Sequence, residues 1–157
     1  MTTYQINYDF GQTNLKSITD AIKDLNVGKD TEIIIFNNAG GSAQLAVDLT
    51  HAIIFSEAIS IKIIVVGFAH SAAAFVVMSV YMYGSGNVNI TFPEPISLMY
   101  HRPRQINPKT GLSYFDLHSE ICIEYDKLMN KWIKRFEVSY NDQEAYYTNH
   151  EYVVIIK

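Results

Sequence analysis

The chain has 157 residues, of which 48% are hydrophobic and 18% are charged, and its formal net charge is −4. A chain of this length can bury a substantial core, and we expect residues 1–157 to form a single domain. The acidic balance, without a stripe of Lys and Arg, argues against nucleic acid as the main partner. With one cysteine, Cys122, and no signal-peptide pattern at its start, the chain is expected to be a cytoplasmic protein without disulfides.

The first half of the chain alternates strand and helix patterns, which predicts an α/β fold with parallel strands and right-handed crossovers. The apolar stretch 61–83 is long enough to cross a membrane, but β-branched residues precede Gly67 and alanines follow Ser71. We therefore predict a strand followed by a helix there, and no membrane insertion. Predicted strands cover 4–10, 33–36 and 61–66, and predicted helices cover 13–25, 42–55 and 71–83.

The pattern changes after Gly84-Ser85-Gly86. Short strands are predicted at 88–92 and 96–101, and a polar loop containing prolines and a glycine is predicted at 102–112. The tail 146–156 is aromatic and apolar, so we expect it to pack against the rest of the chain.

The longest predicted helix covers 114–136. Basic residues along it alternate with Glu124, Asp126 and, just past its end, Glu137, which predicts a solvated polar face. Its apolar stripe is longer than one small domain is expected to cover, so we predict that it packs against another subunit. The stripe consists of Leu117, Ile121, Tyr125, Leu128, Trp132 and Phe136.

Three segments carry groups suited to acyl transfer. Ser71 lies between a buried strand and a helix, where it fits either an exposed nucleophile or an ordinary helix N-cap. The turn Asn37-Asn38-Ala39-Gly40-Gly41-Ser42 contains glycines that let main-chain N–H groups approach a developing oxyanion. His101 ends a strand and supplies the base that a weak serine nucleophile needs. Because all three follow the carboxyl ends of predicted strands, we predict a serine peptidase site at one edge of the sheet.

These segments together resemble the proteolytic subunit of the Clp protease. Gly67-Phe68-Ala69-His70-Ser71-Ala72-Ala73-Ala74-Phe75 is similar to the family pattern Gly-x-Ala-Ala-Ser-Met-Gly-Ala-Phe, and Met99-Tyr100-His101-Arg102-Pro103 is similar to Met-Ile-His-x-Pro. The resemblance implies a ClpP/crotonase-type fold of repeated β-β-α and βα units with a late projecting handle helix. It also implies an ATP-dependent serine endopeptidase. Ser71 would be its nucleophile, His101 its general base, and the N–H groups of Gly41 and Ala72 its oxyanion hole.

The family's third catalytic residue is an aspartate shortly before an aromatic residue and a Ser or Thr that opens a final helix. Thr148-Asn149-His150-Glu151 fits the capping box of such a helix, and counting back from Thr148 gives Glu144 as the acid. Asp142 is the alternative. If neither carboxylate orients His101, the site is impaired, since sites without the acid lose most of their rate.

The resemblance implies a peptide or unfolded protein as substrate and a homo-oligomer built of heptameric rings, which can be stacked. The family's N-terminal axial loop has no counterpart before the first predicted strand, so partnership with a Clp-type ATPase is left open. No cofactor is expected, and no metal, since His70 and His101 lack the ligand spacing of a recognisable site. Two alternatives are a catalytically impaired ring subunit or scaffold and, less favoured because it would not need Ser71 and His101, a crotonase-type acyl-CoA enzyme.

Overall fold

The computed structural model describes residues 1–149 and 151–157. Strands and helices alternate through most of this length, as predicted. The elements are β1 (Thr2–Asn7), α1 (Leu15–Asn26), β2 (Thr31–Asn38), α2 (Ala43–Ile54), β3 (Ile61–His70), α3 (Ala72–Tyr83), β4 (Val88–Thr91), β5 (Ile96–His101), β6 (Gln105–Ile106), β7 (Ser113–Tyr114), α4 (Glu120–Phe136), α5 (Tyr140–Glu144), a π-helical segment (Ala145–Asn149) and β8 (Glu151–Ile156).

The main sheet has six strands, in the order β1-β2-β3-β5-β8, with β4 also paired to β3. The long strand β3 pairs in parallel with β2, with β4 through its first residues and with β5 through its last ones. The predicted parallel pairing is therefore confirmed for these strands. Since β2, β3 and β5 run in the same direction, their carboxyl ends lie at one edge of the sheet.

Helix α3 lies at the centre of the core. Its first nine residues, from Ala72 to Val80, are all buried, and it contacts α2, α4, β3 and β5. The alanines at its start are small enough to let the helix approach the sheet closely. This packing holds the junction between β3 and α3 rigidly at the sheet edge.

The sequence predicted that the longest helix begins at residue 114, but α4 begins at Glu120. Ser119 caps it, accepting a hydrogen bond from the N–H of Cys122 at 3.2 Å. The two residues Ser113 and Tyr114 instead pair with β6 in a small second sheet. The predicted polar loop therefore contains a short hairpin strand.

The centre of the apolar stripe on α4 is covered by the chain itself, which corrects the expectation that it needs another subunit. Tyr125, Leu128 and Trp132 are buried at 1%, 3% and 3% exposure. Tyr125 stacks on Phe75 of α3 with ring centroids 4.3 Å apart. Leu117 lies outside the helix and is exposed.

The tail forms a strand. The resemblance implied a helix opening at Thr148, but Glu151 is the first residue of β8, which pairs antiparallel with β5 and buries Tyr152. Four β-branched residues follow Tyr152, and they favour the extended conformation over a helix. The expected packing of the tail is confirmed and its predicted helix is wrong; His150 lies outside the described residues.

The apolar stretch 61–83 divides into β3 and α3, as predicted. None of the helices that the structure describes has the length and apolar character that crossing a membrane requires. Cys122 is a free and fully buried thiol, and burial raises its pKa.

Candidate active site

Ser71 lies between β3 and α3 in a strained backbone conformation, with φ 55° and ψ −118°. Such a conformation in a residue other than glycine costs about 1–3 kcal/mol and is found at functional sites. Its N–H donates to the carbonyl of Met99 at 2.7 Å, which ties the junction to β5. The hydroxyl makes no capping hydrogen bond to α3. The N-cap role that the sequence also allowed is therefore not performed by this side chain.

The glycine turn after β2 packs directly against this junction. Gly40 has φ 93°, and a Cβ there would lie 2.5 Å from Ser71 Cβ and 2.9 Å from the nitrogen of Ala72. The buried side chain of Asn38 holds the turn, since its Oδ1 accepts from the N–H of Gly40 at 2.9 Å and its Nδ2 donates to Ile6 at 3.0 Å. Only glycine fits at position 40.

The two predicted oxyanion donors lie in the turn after β2 and at the start of α3. Gly41 continues the turn with φ 144° and lies against the main chain of Phe10. Ala72 begins α3, where a backbone N–H has no acceptor within its own helix. Among the described residues, neither the N–H of Gly41 nor that of Ala72 donates to an acceptor. Both groups are therefore able to donate to a substrate.

His101 is the last residue of β5 and is partly buried. Its Nδ1 lies 2.6 Å from the carbonyl oxygen of Arg102. A carbonyl can only accept, so Nδ1 carries the proton of this hydrogen bond. In the neutral ring Nε2 is then the free acceptor, which is the form that a general base requires.

Ser71 and His101 line the same cleft, whose volume is about 280 Å3. No hydrogen bond joins the two side chains within the described part of the chain. The structure thus brings together the predicted nucleophile, the predicted base and one predicted oxyanion donor. The other residues lining the cleft are Gly41, Ser42, Ala43, Pro103, Arg104 and Tyr125.

The two carboxylates proposed as the acid lie on α5, and both are exposed. Asp142 accepts a hydrogen bond from the hydroxyl of Ser139 at 2.7 Å. Within the described ranges, no hydrogen bond or ion pair joins Glu144 or Asp142 to His101. The assignment of Glu144 as the third catalytic residue stays a prediction.

A partly buried charge network lies beside His101, and the sequence did not reveal it. Arg102 donates to Asp126 through Nε at 2.9 Å and through Nη2 at 3.0 Å, and Tyr146 donates to the same carboxylate at 2.7 Å. The hydrogen bonds to Asp126 raise the pKa of Arg102. The pKa of Tyr146 is raised mainly by burial and, to a smaller extent, by its hydrogen bond to Asp126. The sequence pattern predicts a solvated face that includes Asp126, whereas this carboxylate binds Arg102 and Tyr146. A charged residue directly after His101 is the one feature of the sequence that could have indicated the network.

His70 precedes Ser71 and has different surroundings. Its ring lies against Phe68 with centroids 4.6 Å apart, and its buried Nε2 has no hydrogen-bond partner among the residues that the structure describes. Burial lowers the pKa of His70. Residues 1–149 and 151–157 contain no cluster of three or more His, Cys, Asp or Glu side chains able to hold a metal ion.

No protein-family model matches the chain, and no curated protein sequence matches it. Among solved structures, it is similar to the ClpP1 N165D mutant from Listeria monocytogenes, with a TM-score of 0.58 and 19% identity. The alignment covers 97% of this chain and 81% of that one. The fold is ClpP-like. The predicted fold class is therefore confirmed. At 19% identity the similarity establishes the fold and does not establish an activity.

Proposed function

We propose that the chain is a serine endopeptidase of the Clp type that hydrolyses peptides or unfolded proteins through Ser71 and His101. The backbone of Ser71 supports this most, because a strained junction holds the serine at a cleft that also contains His101. The serines that cap helices in this chain do so from an extended conformation, as Ser42 and Ser119 do. Ser71 differs from them in both backbone and hydrogen bonding.

In the proposed reaction, His101 Nε2 accepts the hydroxyl proton of Ser71 while Oγ attacks the carbonyl carbon of the substrate. The N–H groups of Gly41 and Ala72 donate to the resulting oxyanion, and each such donor is worth about 10²–10³ in rate. His101 then gives the proton to the leaving amine, which yields an acyl-enzyme. A water molecule deprotonated by His101 releases the acyl group and restores Ser71. The hydrogen bond between serine and histidine is often formed only when substrate is bound, so its absence here is compatible with this role.

The remaining assignments are part of the same proposal. The chain would assemble into heptameric rings, which can be stacked, so that the clefts face an enclosed chamber. Glu144 as the acid stays a prediction from the resemblance, and partnership with an ATP-driven unfoldase stays open. A cytoplasmic location stays a prediction from the single cysteine and from the lack of a signal-peptide pattern. The high apolar fraction of the chain is consistent with an assembly that covers surface.

The test is covalent labelling of Ser71 by a fluorophosphonate, followed by peptide mass spectrometry. Labelling should occur in the wild-type protein, and Ser71→Ala and His101→Ala should each abolish it, because an unactivated serine hydroxyl reacts too slowly. Ser119→Ala is the matched control, since this serine caps α4 and is not among the residues that line the cleft, so its loss should leave the label on the peptide that contains Ser71. Label that persists in Ser71→Ala would refute the proposal.

A non-catalytic ring subunit or scaffold is the second candidate. The observation that favours it is the absence of a carboxylate partner for His101 among the described residues. This candidate predicts an assembled wild-type particle that takes up no fluorophosphonate under any condition, whereas the peptidase proposal predicts labelling of that same particle.

A further inference from the structure

The ring of His101 is held by main chain, and this observation deepens the proposed function on which it rests. We propose that the carbonyl of Arg102 orients His101 in place of a carboxylate, and that Asp126 and Tyr146 are positioning residues that lock Arg102. The carboxylate of Asp126 acts through Arg102 and does not touch the histidine. The chain would thus keep a working serine and histidine without a conventional acid.

The hydrogen bond at Nδ1 of His101 determines which tautomer the imidazole adopts. A triad carboxylate holds the proton on Nδ1 of the histidine, so that Nε2 faces the nucleophile as an acceptor. In this chain the hydrogen bond from Nδ1 of His101 to the carbonyl of Arg102, 2.6 Å long, places the proton on the same atom. The carbonyl offers a dipole and not a full charge, so it fixes the tautomer while stabilising the imidazolium less.

The carbonyl of Arg102 is held in place through the side chain of the same residue. Two of the three guanidinium nitrogens of Arg102, Nε and Nη2, bind Asp126, and the Arg102 side chain is only 11% exposed. Its guanidinium lies over the rings of Tyr146 and Tyr147, 5.5 and 5.3 Å from their centroids. Paired and stacked in this way, a guanidinium holds one geometry, which in turn restricts the main chain that carries it.

Tyr100, the residue before His101, is also held in place. Tyr100 is fully buried, and its hydroxyl donates to the carbonyl of Tyr125 at 2.7 Å. Its ring stacks on that of Tyr125 at 5.4 Å and on that of Tyr146 at 5.8 Å. The residues before and after His101 are therefore anchored to consecutive residues of α4, Tyr125 and Asp126. The backbone of His101 is therefore held on both sides by contacts to α4.

The test combines two variants with two readouts. Tyr146→Phe removes only the hydroxyl that binds Asp126, and Asp126→Asn removes the charge that binds Arg102. We expect each to lower the rate of fluorophosphonate labelling by about tenfold to a hundredfold, since small misplacements of a catalytic group cost rates of this order. Nitrogen-15 NMR of the imidazole should show the Nδ1–H tautomer of His101 in the wild type and a mixture of tautomers in the variants.

Matched controls are Tyr140→Phe and Asp20→Asn. Tyr140 is 75% exposed, and Asp20 lies on α1 and pairs with Lys16 on the surface. Both should match the wild type in rate and in spectrum. If Asp126→Asn fails to fold, Tyr146→Phe decides, because it leaves the pair between Arg102 and Asp126 in place. Asp126→Glu should recover part of the rate that Asp126→Asn loses.

Glu144→Gln is the competing arm. We expect the imidazole spectrum of His101 in Glu144→Gln to match that of the wild type. A change of the His101 tautomer in this variant would return the orienting role to Glu144 and overturn the inference. A wild type that shows the Nε2–H tautomer, or variants at 126 and 146 that leave tautomer and rate unchanged, would also overturn it. If the tautomer responds as expected but no protein is ever labelled, the peptidase proposal fails and the positioning of His101 stands.

Discussion

His70 and Ser71 are neighbours in the chain, but they have opposite surroundings. Ser71 lines a cleft and is available to a ligand, whereas the Nε2 of His70 is buried and has no hydrogen-bond partner in the described part of the chain. A buried imidazole that lacks a partner resists protonation, and burial accordingly lowers the pKa of His70 below its usual 6.5. This places a pH-sensitive group directly beside the proposed nucleophile.

The stability of the protein should therefore fall in mild acid. Below about pH 6.5 the unfolded chain binds a proton at His70 more readily than the folded chain does, so the free energy of unfolding decreases as pH falls. His70→Gln removes this proton-binding site and should flatten the dependence. Urea unfolding of both proteins at about pH 5.5 and about pH 7.5 measures the change.

The comparison uses the difference between the two pH values within each protein, so any constant effect of the substitution cancels. His118→Gln is the matched control, since it makes the same exchange at an exposed histidine and leaves His70 in place. An unchanged slope in His70→Gln would show that another group titrates in this range.

At the scale of elements, the site depends on two turns that pack against each other. The turn between β2 and α2 passes so close to the junction between β3 and α3 that no Cβ fits at Gly40. A substitution there would move Ser71, Ala72 or both. Ser71 and Ala72, the proposed nucleophile and a proposed oxyanion donor, are thus positioned by a glycine from a different strand–helix unit.

Gly40→Ala should both destabilise the protein and remove its reactivity. The new methyl group would lie 2.5 Å from Ser71 Cβ, and alanine at φ 93° is strained in addition, so we expect a loss of about 2–4 kcal/mol in the free energy of unfolding. Gly86→Ala is the control, because a Cβ there meets nothing within 4 Å, and its effect should stay within about 0.5 kcal/mol. Chemical denaturation and fluorophosphonate labelling measure the two effects. Labelling at the wild-type rate in Gly40→Ala would argue against this packing as a requirement.

At the scale of the whole molecule, α4 links the core to the surface. Its inner side, with Tyr125 and Trp132, belongs to the core of its own chain, so charge placed there would test folding and not assembly. Its outer side carries Ile123 at 40% exposure, and Leu117 just before the helix is 49% exposed. If the proposed ring uses this helix, these outer residues are the ones available for contact.

The wild-type protein should therefore have a particle mass well above the 17.8 kDa of one chain in light scattering. The double variant Leu117→Asp with Ile123→Asp should give a smaller particle with unchanged far-UV circular dichroism, because charge at a contact opposes burial. Lys134→Glu, an exposed change on the same helix, should keep the wild-type mass. A double variant of full mass would place the contact elsewhere, and a wild type of single-chain mass would end the ring proposal.

The order of elements around Ser71 follows from local sequence. β-branched residues before Gly67 and alanines after Ser71 have different backbone preferences, so the strand, the junction and the helix could all be predicted without knowledge of the rest of the chain. Because parallel strands share the edge at which they end, the meeting of Gly41, Ser71 and His101 followed from the same pattern.

Contacts across long separations could not be predicted in this way. The capping box at Thr148 is a local signal, but the open edge of β5 offers backbone hydrogen bonds to the β-branched tail, and pairing in the sheet prevailed. Arg102 and Asp126 are 24 residues apart, and Asp126 and Tyr146 are 20 apart. No periodicity marks such a network, because its members meet only after α4 has packed against the sheet. The partner of His101 Nδ1 is likewise a main-chain carbonyl, whose orientation depends on that packing and leaves no trace in the identity of a side chain.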